Sequence, residues 1–220
     1  MREGSTKRLQ SKGKALDQGR KCNNRRIKTA DNEVPFRSIE LLHESKGRML
    51  TLRPITPPDN AAVAHVIRTV MTEFSCVGED FSITDPEVDD MAAAYADDRS
   101  SFFVIEHSVG GPAGAGEGFR GTLVLGGAGF APLTGGDPDT CELRKMYVLN
   151  EGRGFGGGRL LMDACLEGAR AAGYSKMYLE TVNAMTDAAA LYKKNGFEPI
   201  SWPMGDTGHG GCDVYMVRDL

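Results

Sequence analysis

The sequence predicts an α/β (α+β) domain with a central, mostly antiparallel mixed sheet flanked by helices, in the order β-α-α-β-β-β-α-β-α-β-β. Three observations carry this expectation. Strand-like alternation begins abruptly at Met49, three apolar runs follow one another in mid-chain with only turn residues between them, and helical stripes alternate with strands beyond residue 157.

In chain order, MLTLRPI from Met49 alternates as a strand does. Thr56-Pro57-Pro58-Asp59 then offers an N-cap, prolines suited to a first turn and an acid near the positive end of a helix. Val63, Ile67, Val70 and Phe74 make one apolar stripe on that helix, and Asp85-Pro86 opens a second with Val88, Met91 and Tyr95 on one face. SFFVIE at 101–106 and GTLVLGGAGFAPL from Gly121 are strands; the connection over 107–119 holds five glycines. CELRKMYVL at 141–149 completes an antiparallel meander. Leu161, Cys165, Ala169 and Ala172 form the next helical face, with Gly173 at its C-terminal cap position. KMYLET is a strand, TDAAALYKKNG a helix stopping at Gly196, and CDVYMVRD the last strand.

Charge divides the chain. Residues 1–48 hold 13 Lys+Arg against 6 Asp+Glu, whereas 49–220 hold 13 against 24. The first segment, aromatic-poor and without periodicity, reads as a disordered basic extension, with organelle targeting or a nucleic-acid-binding tail as the alternatives. Residues 49–220 read as the catalytic domain. Its acidity argues against nucleic acid as the main ligand, because phosphate binding needs a concentrated basic face, and favours cationic acceptors. The five cysteines, Cys22, Cys76, Cys141, Cys165 and Cys212, lie far apart without CxxC or zinc spacing, as reduced thiols of a cytoplasmic protein would. No metal site, transmembrane run or secretory signal is expected. A homodimer stays open beside a monomer.

The stretch RGFGGGR at 153–159 stands where a strand hands over to a helix. A dinucleotide fingerprint GxGxxG fails because the third glycine position is Arg159, and a Walker loop has no matching GK[ST]. What remains is a run of bare amides at a helix N-terminus, suited to a pyrophosphate, or else a glycine turn serving only close packing.

The context distinguishes these. The pattern Arg153-x-x-Gly156-x-Gly158, preceded by a strand ending in MYV and followed by A-x-x-L-Y-x-x-x-G-F ending at Phe197, resembles the GNAT superfamily of acetyl-CoA-dependent N-acetyltransferases. The resemblance spans roughly residues 50 to 218 and is most specific from Glu142 to Phe197. It implies the GNAT fold, acetyl-CoA as cosubstrate and an amine acceptor, with a small-molecule amine favoured and protein lysine acetylation, which differs only in the acceptor, as the alternative. It also implies that Arg153, Gly154, Phe155, Gly156, Gly157, Gly158 and Arg159 hold the pyrophosphate. Met146, Tyr147 and Val148 would then run along the pantetheine arm, with Tyr192 facing the coenzyme sulfur. Glu142 takes the family position of a catalytic glutamate, with a strand carboxylate paired to Arg144 or Lys145 as the other reading.

One position departs from the pattern. Many members carry Asn where this chain has Met185, and Asn183 is the available substitute. Glu180 reads as a solvated strand-end charge, and His43, His65, His107 and His209, which share no motif, as structural or solvated. Glu79, Asp80 and Asp85 border the acceptor pocket of the family or form a solvated loop. The expected chemistry is direct acetyl transfer to a primary amine. A ping-pong route through Cys141 and a non-catalytic acyl-CoA-binding or sensing module are the alternatives.

Overall fold

The structure, a computed structural model, describes residues 41–45, 48–109 and 121–220. Eight strands form one open sheet: β1 (Leu41–Ser45), β2 (Arg48–Pro54), β3 (Ser101–Val109), β4 (Gly121–Pro132), β5 (Thr140–Val148), β6 (Lys176–Thr181), β7 (Glu198–Ile200) and β8 (Val214–Asp219). Their spatial order is β1-β2-β3-β4-β5-β6-β8-β7. Every neighbouring pair is antiparallel except β5 and β6. The helices are α1 (Asn60–Glu73), α2 (Met91–Ala94), α3 (Gly157–Ala171) and α4 (Thr186–Lys194).

The predicted stripes are the buried faces. Val63, Ile67 and Val70 of α1 pack with Val88, Met91, Phe102 and Val104 on one side of the sheet. On the other side, Leu161, Cys165 and Ala169 of α3 meet Leu50, Ile105 and Leu143. Gly173 and Gly196 follow their helices with φ of +84° and +80°, the left-handed caps that stop each one. The segment after Pro86 is shorter than predicted. A 3-10 turn at Pro86–Asp89 gives way at Asp90 to the four residues of α2, while Val88, Met91 and Tyr95 are still buried together. Apolar spacing reported which residues face inward, not the regularity of the backbone between them.

The N-terminal boundary needs correction. Residues 41–45 are not part of an unstructured extension: β1 pairs with β2 from Leu41↔Leu52 to Ser45↔Arg48, so the fold starts at least eight residues before Met49. Backbone pairing there completes the edge of a sheet whose Leu50 and Leu52 are already buried. Residues 1–40 and most of the glycine-rich 107–119 connection lie outside the described residues. Among the described residues, no helix is long and apolar enough to cross a membrane.

Two features of the central strands position the site. First, β5 pairs with β6 only from Thr140↔Lys176 to Glu142↔Tyr178, after which the strands part. Among the described residues, the β6-facing backbone edge of β5 from Leu143 to Val148 therefore has no partner strand, and a cleft opens between the two. Second, the register between β4 and β5 shifts between Gly127↔Tyr147 and Gly129↔Arg144, a bulge at which Lys145 takes φ +51°. A lysine in left-handed backbone is strained, and the bulge bends β5 where the cleft begins.

Candidate active site

The cleft lies between β5 and β6 and is lined as well by Phe81, Ser82, His209 and Cys212. Glu142, Met146, Tyr147 and Tyr192, all singled out in the sequence, line it. So does Met185, the position at which the sequence departs from the pattern it resembles. Asn183 points elsewhere: its backbone N–H and its Nδ2 donate to Asp213 at 2.8 and 2.7 Å.

Glu142 is 3 % exposed, the last β5 residue paired with β6. It lines the cleft and also accepts from Arg144 Nε at 2.7 Å, the strand pairing of its second sequence reading. Alternation places Arg144 on its own face, which is what brings the two together. Burial raises the carboxyl's pKa, and the charge and hydrogen bond of Arg144 oppose that rise. Lys145 does not compete. Its buried ammonium lies 2.6 Å from Asp85 Oδ2 and 2.7 Å from Glu87 Oε1, tying the 85–87 segment to the bulge.

Tyr192 of α4 is 5 % exposed and stacks edge-on against Phe197. Burial raises its pKa, so the phenol keeps its proton throughout the neutral range. Cys141 lies outside the cleft lining and is fully buried. Its thiol, donating to Lys176 O, is pushed up by burial to about 12. A thiol so protonated is a poor nucleophile.

The glycine loop is more differentiated than the sequence implied. Gly156, with φ +88°, is the N-cap of α3. Among the described residues, the amides of Gly156, Gly157 and Gly158 meet no backbone acceptor, as the first turn of a helix requires. Those of Arg153 and Arg159 are already used, by Asn150 O at 3.2 Å and Gly156 O at 3.1 Å. The Arg153 guanidinium is engaged as well: both terminal nitrogens donate to the Glu73 carboxylate at 2.6 Å, and Nε donates to Val148 O at 2.9 Å. Packing explains one glycine directly, since a Cβ on Gly157 would meet Ile105 Cδ1 at 2.4 Å. A Cβ on Gly158 would make only ordinary contact with Leu191, at 3.4 Å.

Two residues outside the expected site, His209 and Glu180, also line the cleft. His209 Nε2 approaches Asp85 Oδ2 at 3.1 Å, and that hydrogen bond raises the imidazole's pKa. Burial raises the Asp85 carboxyl, yet His209 and Lys145 together hold it down to about 2. Glu180 lines the cleft too, and is not a solvated strand-end charge, because β6 leaves β5 just where its side chain emerges. Of the other acids near the family's acceptor pocket, Glu79 and Asp80 are exposed. Among the described residues, no group of three His, Cys, Asp or Glu side chains is placed to hold a metal.

Known proteins share this architecture. The model of the acetyltransferase (GNAT) family matches residues 67–197. N-acetyltransferase YjgM of Escherichia coli is 38% identical over 170 residues, covering 77% of this chain and 94% of its own. Among solved structures, the GNAT domain of S. lividans PAT superposes with a TM-score of 0.58 at 14% identity, covering 82% of this chain and 97% of its own. The Salmonella typhimurium acetyltransferase yncA, solved with its cofactor acetyl-CoA, gives 0.55 at 19% identity, covering 78% and 94%. With a parted β5–β6 pair, a glycine-capped α3 and these relatives, the chain belongs to the GNAT family of acetyltransferases.

Proposed function

We propose that this chain transfers an acetyl group from acetyl-CoA to the primary amine of a small molecule by direct attack. The observation that carries the proposal is the cleft itself: an unpaired β5 edge leads away from buried Glu142, and its Met146 lies 3.9 Å from where a Cβ on Gly158 would be. An extended pantetheine arm can pair with such an edge as an added strand would. The helix N-terminus offers its donors to the pyrophosphate. Acetyl-CoA supplies the activated thioester, and the protein supplies orientation and proton transfer.

A primary amine of pKa near 10.4 is only about 1 part in 2,500 neutral at pH 7, so attack needs a proton acceptor. Glu142 is that acceptor, its raised pKa bringing it nearer the working pH. Tyr192 donates to the departing thiolate. Because the parent thiol has a pKa of about 8.5, that thiolate leaves readily and needs less help. Buried charge on the cleft walls, from Glu142 and Lys145, favours a small acceptor over a lysine on a protein surface. Direct attack is preferred to an acyl-enzyme because the Cys141 thiol stays protonated.

Release of free thiol from acetyl-CoA across a panel of amines tests the reaction. Glu142→Gln should lower kcat/KM on the order of 10²-fold at pH 7. Tyr192→Phe should lower it less, and the Glu142→Gln defect should shrink as pH approaches the amine's own pKa. Wild-type turnover by Glu142→Gln at pH 7 would remove Glu142 from the chemistry. Binding of acetyl-CoA without amine-dependent thiol release would instead favour an acyl-CoA-binding module.

A further inference from the structure

Glu180 is held in an uncommon way. Tyr178 Oη donates to its Oε1 at 2.7 Å, and Thr207 Oγ1 donates to the same oxygen at 3.0 Å. The other oxygen, Oε2, is sealed from solvent and has no hydrogen-bond partner among the described residues. Two hydroxyls thus fix the carboxylate and leave one acceptor oxygen unused beside the cleft.

Charge accounting sharpens the point. Among the described residues, each basic side chain lining the cleft already has a carboxylate: Arg144 has Glu142, Lys145 has Asp85 and Glu87, and His209 has Asp85. Glu180 has neutral donors only. A shielded carboxylate oxygen with neither hydrogen bond nor counter-charge is costly, and the free energy is recovered when a cationic N–H donor arrives. The cleft is therefore one cation short.

That missing cation need not be the reacting nitrogen. An ammonium paired with a carboxylate keeps its proton more firmly and loses nucleophilicity. Glu142, on the neighbouring strand and diagonal to Glu180, is the group proposed above to take the reacting nitrogen's proton. Building on that acetyl-transfer reading, we infer that Glu180 Oε2 binds a second, non-reacting ammonium of the acceptor, and that the acceptor class is a compact diamine.

The test compares n-pentylamine with cadaverine, which have the same carbon chain and differ in one terminal ammonium. A charge-assisted hydrogen bond predicts a KM for cadaverine lower by about tenfold or more, beyond the statistical advantage of its two ends, at similar kcat. In Glu180→Gln that gap should close by a rise in the cadaverine KM alone, with acetyl-CoA affinity unchanged. Glu180→Asp should keep part of it. A gap that survives in Glu180→Gln, or a Glu180→Gln defect equal for both amines, overturns the inference. Calorimetry with cadaverine separates it from the acetyl-transfer reading. Glu180-dependent binding without thiol release upholds the diamine site and defeats the transfer reaction, whereas thiol release with pentylamine but no cadaverine preference does the reverse.

Discussion

In the reaction proposed above, Glu142 and Arg144 together set the pH at which the base is ionised. Burial pushes the Glu142 carboxyl up and Arg144 holds it back, so the arginine keeps the proposed base ionised at lower pH than its surroundings alone would allow. Arg144→Gln removes the restraint while leaving the carboxylate in place. The Glu142 pKa should then rise further, and the acidic limb of the kcat/KM profile should move to higher pH, with most activity regained on the alkaline side. An acidic limb that stays put would show that Glu142 does not limit the rate. Residues of this kind were half legible in the sequence. Glu142 and Tyr192 stand at fixed spacings within a motif, so their place at the cleft could be read ahead of the fold. Glu180 could not be, because its significance depends on Thr207, 27 residues away, and on every nearby cation being matched elsewhere. Spacing along one strand carries no trace of that accounting.

At the scale of elements, the glycines of this stretch differ in ways that composition alone does not show. Gly156 turns the chain through left-handed backbone into α3, Gly157 lets the helix lie against Ile105, and Gly158 has ordinary space at its Cβ. Substituting Gly156 or Gly157 would confuse loss of binding with loss of folding, since one position is strained for any side chain and the other would clash. Gly158→Glu separates the two effects. A carboxylate in the first turn of a helix interacts favourably with the dipole, so the melting temperature should hold or rise slightly. The same charge should repel the coenzyme pyrophosphate and weaken acetyl-CoA binding on the order of tenfold or more. Calorimetry alongside thermal melting checks this, and a stable Gly158→Glu protein with unaltered affinity would dissociate the loop from the cofactor. The pattern of glycines at a strand-to-helix junction was enough to propose an anion cradle. It could not reveal that Arg153 is committed to Glu73, because that partner comes from α1, 80 residues earlier.

The whole molecule raises the question of where the fold begins. Basic charge and scarce aromatics placed residues 1–48 outside the domain, and the five residues LLHES are too short and too mixed in polarity to stand out against that background. What makes them a strand is the waiting edge of β2, a tertiary fact. β1 supplies backbone partners along that edge, and its His43 side chain reaches over the glycine loop, with Nε2 2.8 Å from where a Cβ on Gly156 would lie. A chain cut to begin at Leu41 should keep the melting temperature and turnover of the full chain, because composition assigns no catalytic part to the residues before it. A chain cut to begin at Met49 loses β1, bares the N–H and C=O groups of an edge whose Leu50 and Leu52 belong to the core, and uncovers Gly156. It should melt several degrees lower, since about 1 kcal/mol corresponds to roughly 2–4 °C in a chain of this size, and should aggregate more readily at equal concentration. Differential scanning calorimetry of the two truncated chains decides the matter. Coincident melting curves would mean that β1 adds nothing to stability and that the domain starts at Met49 after all; a gap of several degrees would make the edge strand an integral part of the fold.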